Sequence, residues 1–140
     1  MSDKRIILAG GSGFLGRVLS HYLTQHSYEV IVLTRGPAQG TSEIREVHWD
    51  GRTLGAWTVH LTGAFAVINL AGRSVNCRYT EQNKRAILDS RVDSTRVLGE
   101  AISRCSKPPT VWLNSSTATI YRHSLDRPND EHGAGSRDRT

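Results

Sequence analysis

Apolar positions along the chain alternate between short continuous runs and helical stripes. Ile6-Ile7-Leu8-Ala9, opened by Arg5, is an unbroken apolar run ending in glycine, the pattern of a strand buried on both faces. From Phe14 to about His26, Leu15, Val18, Leu19, Tyr22 and Leu23 recur at helical spacing,. Glu29-Val30-Ile31-Val32-Leu33 predicts a second buried strand, closed by Thr34-Arg35-Gly36-Pro37; Pro37 cannot continue a ladder. Arg45 to Trp49 predicts a third strand, residues 50–63 a loop or one short helix, and Phe65 to Leu70 a fourth strand ending at Ala71-Gly72. A long helix is expected from about Thr80 to Cys105, stopped by Lys107-Pro108-Pro109, with Thr110 to Asn114 as a fifth strand,.

Strands alternating with helices imply βαβ units, a parallel sheet and helices on both faces. The strand ends carrying Gly10, Thr34, Gly72 and Ser115 then share one edge of the sheet, the carboxyl edge where ligands bind in such folds. Residues 1–121 make the ordered domain of this reading. Residues 122–140 hold one large apolar side chain, Leu125, too little to offset the entropy of ordering, so a polar, mobile tail is expected there.

At 140 residues the chain suits one domain,. Its formal net charge of +5 comes from 18 basic and 13 acidic side chains, with no run of four basic residues. That spread favours a solvated surface, or a site for a phosphorylated small molecule, and argues against nucleic acid. Cys77 and Cys105 form no zinc or redox motif, and the histidines show no metal-binding spacing, so no metal is expected. The N-terminus shows no signal segment and no apolar run reaches membrane-spanning length. These features together read as a reduced, cytoplasmic protein with no membrane partner.

Gly10-x-x-Gly13-x-x-Gly16 lies between the first strand and the first helix. Gly10 allows a tight turn, Gly13 lets backbone N–H groups approach a pyrophosphate, and Gly16 permits close packing of the helix. The helix N-terminus, at Phe14 and Leu15, supplies unpaired N–H donors and positive dipole. An NAD site usually carries a carboxylate about 20 positions further on, at the end of the second strand. Here that position reads Thr34-Arg35. Arg35 can fork onto a 2′-phosphate, so the expected cofactor is NADP rather than NAD. Along the long helix, Leu88, Thr95, Leu98 and Ile102 form one stripe, with Arg91 inside it and Lys84 at its N-terminal end. A basic residue on that face has to pair or meet a ligand, and Arg91 is assigned to a ligand or carbonyl cluster at the cofactor cleft. Core packing is expected for at least one of Trp49 and Trp57.

The text Gly-Gly-Ser-Gly-Phe-Leu-Gly resembles the extended and atypical short-chain dehydrogenase/reductases, and in particular their epimerase-like branch, often named nucleoside-diphosphate-sugar epimerases. Leu33-Thr34-Arg35, Ile68-Asn69-Leu70-Ala71-Gly72, the stretch Lys84 to Arg91 with Ser90-Arg91, and Ala118 to His123 carry the same resemblance, which covers residues 4 to about 131. It implies an α/β fold, an NAD(P)-binding Rossmann-type parallel sheet of about five strands with helices on both faces. It places Leu70, Ala71 and Gly72 against the cofactor. Ser115 to Tyr121 resembles the Ser-Ser-[Ser/Thr]-Ala-x-x-Tyr segment of this family, which assigns Thr117, with Ser116 as the alternative, to a substrate hydroxyl or carbonyl. The Tyr-x-x-x-Lys pair that such enzymes use for proton exchange is absent from these residues. Family members are about twice as long, with a C-terminal substrate domain, so the chain corresponds to their N-terminal portion, with the C-terminal half of the fold truncated. Two readings follow: the catalytically incomplete NADP-binding domain of an epimerase-like oxidoreductase acting on an unknown small-molecule substrate, or a non-catalytic nucleotide-sensing or partner-binding module using the same cleft. The open fifth strand also invites pairing with another copy, as a homo-oligomer.

Overall fold

The computed structural model describes residues 4–38, 44–117 and 120–132. The elements run β1 (Arg5–Ala9), α1 (Phe14–Gln25), β2 (Glu29–Thr34), β3 (Ile44–His48), a 3₁₀ turn (Ala56–His60), β4 (Ala66–Asn69), α2 (Glu81–Ser103) and β5 (Val111–Asn114). Each expected strand and helix is present, with ends within two residues of the sequence reading. The short helix anticipated within 50–63 is the 3₁₀ turn. Thr80 caps α2, its side chain accepting from the Asn83 backbone N–H, which fixes the start of the helix at a polar residue as such caps do.

All strand pairings are parallel, in the order β3-β2-β1-β4-β5. This is the Rossmann order as far as its fifth strand, and the direction of winding reverses between β1 and β4. Strand residues alternate between two apolar layers. Ile7, Ile31, Leu33 and Val67 pack under α2 with Val97, Leu98, Ala101, Trp49, Trp57 and Leu61. Ile6, Leu8, Val30 and Val32 pack on the other face against Leu19 and Leu23 of α1. The continuous apolar runs in β1 and β2 are the imprint of this two-sided burial. Trp49 and Trp57 are both core residues, meeting at 80° with ring centroids 5.4 Å apart. β5 is an edge strand with Trp112 and Leu113 exposed.

One expectation needs correction. Leu88 does not join the buried stripe of α2: it is 61% exposed, and the buried residues of that helix are Ser94, Val97, Leu98 and Ala101. The helix is 23 residues long, about 35 Å at the α-helical rise, whereas β4 and β5 beneath it have four residues each. Only its C-terminal half lies over the sheet; the N-terminal turns project beyond the carboxyl edge. Lys84, at that projecting end, is exposed and paired with Glu81 at 2.8 Å. In the polar stretch from 122, residues 122–132 form a bend and a turn without helix or strand, and Leu125 is exposed. Residues 133–140 of the expected mobile tail lie outside the described residues, as do Ala118 and Thr119. No helix among the described residues is long and apolar enough to cross a membrane.

Candidate functional site

The carboxyl ends of the strands open into a cleft of about 610 Å³. Its walls come from the turn after β1 (Gly10, Ser12, Gly13), the end of β2 (Thr34, Arg35, Gly36), the segment after β3 (Trp49 to Arg52), the segment after β4 (Leu70 to Arg73) and one face of α2 (Ala86, Asp89, Ser90, Asp93, Ser94). Strands cannot place these segments together unless they are parallel and their order reverses at β1, so the site is a direct product of the topology.

The glycine turn is built by backbone-on-backbone packing. Gly10 has φ +72°, and a Cβ there would lie 2.7 Å from Ala71 Cα. The turn after β1 and the segment after β4 therefore touch through bare backbone, held by Leu70 N–H donating to Ala9 O, while Gly10 N–H donates to Leu33 O at the end of β2. Gly16 sits directly on the turn: a Cβ there would fall 2.2 Å from the Gly11 carbonyl oxygen. Gly13 is the opposite case, with nothing within 4 Å of the position its Cβ would take. Gly13 is also the N-cap of α1, without a side-chain cap and with no acidic residue in the first turn. The first N–H groups of α1 thus have neither intrahelical partners nor a capping side chain. The Phe14 and Leu15 side chains are exposed, so what these residues offer at the turn is backbone.

Around this turn the other segments are pinned by side-chain hydrogen bonds. Thr34 Oγ1 accepts from Gly36 N–H, turning the chain at the end of β2 and leaving Arg35 exposed on the cleft wall with no hydrogen bond or ion pair to the described residues. Asn69 is buried; its Oδ1 accepts from Ala71 N–H and its Nδ2 donates to Ser94 and Thr95 of α2. Arg91 lies outside the cleft lining. Its guanidinium packs against Gly72, and its Nη1 donates to the carbonyls of Arg73 and Ile87, tying α2 to the segment after β4. Ser90 accepts from Arg73 N–H, and Arg73 Nη2 donates to Asn83. The exposed Ser116 and Thr117 follow β5 at the same sheet edge but do not line the cleft.

The sequence reading set a loop between Trp49 and Trp57 but assigned Asp50 and Arg52 no role. Asp50 Oδ1 accepts from the backbone N–H groups of Arg52 and Thr53, and Oδ2 accepts from Thr53 Oγ1 at 2.6 Å. These bonds, led by that of the Thr53 hydroxyl, lower the Asp50 pKa to about 2,. Arg52 reaches across the cleft to Asp93, Nε to Oδ2 at 3.2 Å. The Trp49 indole N–H is buried without a partner. An Asp-Gly pair directly after a strand that ends on the carboxyl edge was the available signal. Among the described residues no group of three His, Cys, Asp or Glu is placed to hold a metal ion.

Comparison with known proteins fits this geometry. Two curated relatives are the human epimerase family protein SDR39U1, 28% identical, and the Bacillus subtilis epimerase family protein YfhF, 32% identical; each matches 94% of this chain and 43% of its own length. The chain thus spans less than half the length of these relatives. The crystal structure of human SDR39U1 (isoform 2) with NADPH superposes with a TM-score of 0.77 at 29% identity, covering 94% of this chain and 42% of that one. MoeE5 in complex with UDP-glucuronic acid and NAD, at 22% identity and a TM-score of 0.76, shares the fold over 94% of this chain and 42% of its own. The sequence model of the NAD dependent epimerase/dehydratase family matches residues 6–137: the chain belongs to that family, as a Rossmann-type domain of it.

Proposed function

We propose that the chain binds NADP, with the pyrophosphate on the Gly10–Gly16 turn and the 2′-phosphate on Arg35. The observation that carries this reading is the uncapped N-terminus of α1, opening through the bare Gly13 position into the cleft at the switch point between β1 and β4. A helix N-terminus with unpaired N–H groups favours a doubly charged pyrophosphate. The space over Gly13 is what such a group needs, and Leu70, Ala71 and Gly72 let a nucleotide pass close to backbone. The choice of NADP over NAD rests on Arg35, which is unpartnered among the described residues, and on the absence of a carboxylate at the end of β2,. The human relative, solved with NADPH, supports the same choice. When bound, NADP supplies hydride transfer at its nicotinamide. Arg91 acts on the cofactor through the backbone of Gly72 and Arg73, which it holds in place. Thr117, or Ser116 beside it, is proposed to meet a substrate hydroxyl or carbonyl at the neighbouring strand end. No Tyr-x-x-x-Lys occurs in these 140 residues, so the proposal covers cofactor binding and not turnover.

Arg35→Ala tests the choice of nucleotide. Losing a charge-assisted fork to the 2′-phosphate should weaken NADPH binding about 10- to 100-fold while changing NADH binding by no more than about twofold. Equal weakening of both nucleotides, measured by fluorescence titration, would show that Arg35 does not read the phosphate.

A further inference from the structure

We propose that two copies of this chain associate through the corner between α1 and the β4–β5 half of the sheet, each α1 lying over the β4 and β5 of the other copy. The proposal is independent of the NADP reading. A parallel sheet is ordinarily covered on both faces. Here α2 covers one face, and on the other α1 lies over β1 and β2. Among the described residues no helix lies over the β4–β5 half of that second face. Its floor is Ile68, Val111 and Leu113. The first two pack only partly buried against the core layer, and Leu113, two residues on from Val111 and so on the same face, is 52% exposed,.

The wall of the corner is a second apolar stripe on α1. Leu19 and Leu23 face the sheet. Leu15, Val18 and Tyr22 follow at i, i+3 and i+7 on the flank beside them, and each is more than half exposed,. The right-handed crossover from β1 through α1 to β2 turns this flank toward β4 and the flank of Arg17 and Thr24 away from it. Floor and wall together present several hundred Å² of apolar surface, at the upper end of what a monomer leaves contiguous. Two such corners related by a two-fold axis bury, with their polar rim, the roughly 1,200 Å² of total area at which specific interfaces begin. The chemistry of the corner selects its occupant. α1, β4 and β5 carry one formal charge among them, Arg17, which lies on the far flank and donates to the Ser12 carbonyl. A nucleic acid or a charged peptide finds no partner there, whereas the apolar flank of a second α1 does. Two chains of net charge +5 thus meet where neither bears charge. A second exposed apolar pair, Leu88 and Val92 on α2, is instead interleaved with the ion pairs Arg85–Asp89 and Arg96–Asp93.

Sedimentation equilibrium of the 140-residue chain tests this. At about 100 µM the wild type is expected to be a dimer, with a dissociation constant in about the micromolar range. Val18→Lys puts an unpaired charge into both halves of the contact and should raise that constant at least about 100-fold; Leu113→Lys, on the floor, should do the same. Both positions are more than half exposed, so both variants should melt within about 2 °C of the wild type. Leu88→Lys, on α2, should leave the constant unchanged to within about twofold. A wild-type chain that melts cooperatively and sediments as a monomer at about 100 µM overturns the proposal and leaves the corner to a different polypeptide. A dimer that survives Val18→Lys but is lost in Leu113→Lys pairs through the free edge of β5, and one lost in Leu88→Lys alone pairs through α2; either result overturns the assignment of this face.

Discussion

Gly16→Ala is expected to cost the fold about 3 kcal/mol or more, lowering the melting temperature by about 10 °C or abolishing cooperative unfolding. The added Cβ would sit 2.2 Å from the Gly11 carbonyl oxygen and 2.4 Å from Gly11 Cα. Both are backbone atoms, so no rotamer change relieves the contact. Gly11 cannot retreat either, since a Cβ at its own position would lie 2.9 Å from Leu8 Cβ in the core. The first turn of α1 would have to lift away from β1, loosening Leu19 and Leu23 from their layer. A loss of a few kcal/mol is a large share of the stability of a domain of this size. Thermal melting followed by circular dichroism reads this directly, and a variant that melts within about 2 °C of the wild type would refute the packing described for this turn.

Gly13→Val, three residues earlier in the same motif, should do the reverse. Nothing lies within 4 Å of the Cβ position, and the backbone angles, φ −77° and ψ −177°, are extended ones that a β-branched residue adopts freely,. Stability should therefore change by no more than about 0.5 kcal/mol, as for an ordinary surface substitution. The isopropyl group would fill the space over the α1 N-terminus and hold a pyrophosphate off its N–H donors. Losing one to two hydrogen bonds to a charged group corresponds to about 100-fold weaker NADPH binding. The pair of variants separates the two uses of one motif: Gly16 serves packing and Gly13 serves the ligand. A Gly13→Val variant that folds and binds NADPH as the wild type does would place the pyrophosphate elsewhere.

The fold was legible in the sequence because its elements are of the readable kind. Strands buried on both faces leave continuous runs such as Ile6 to Ala9, and the helical spacing located α1, although of its apolar set only Leu19 and Leu23 pack on the sheet while Leu15, Val18 and Tyr22 are exposed. The glycine spacing and the strand ends were enough to collect Gly10, Gly13, Thr34, Arg35, Leu70, Ala71 and Gly72 around one cleft. What stayed hidden depends on where α2 crosses the sheet, which periodicity does not encode. Leu88 and Leu98 fall on one helical stripe, yet only Leu98 has a strand beneath it. Arg91 reads as a cation facing the core until the backbone of Gly72 and Arg73 is seen to meet it. The bridge between Arg52 and Asp93 joins residues 41 positions apart, and no local pattern announces it. Asn69 read as part of a strand end, although its side chain bonds both the segment that follows and two hydroxyls of α2.

The central claim, that the glycine turn and Arg35 form a site for NADP, is tested most directly by calorimetric titration of the unmodified 140-residue chain with NADPH and, in parallel, with NADH. The expected result is saturable binding of one NADPH per chain at about micromolar affinity, with NADH at least about tenfold weaker. Absence of saturable binding of either nucleotide up to about millimolar concentration, by a chain that melts cooperatively, would contradict it.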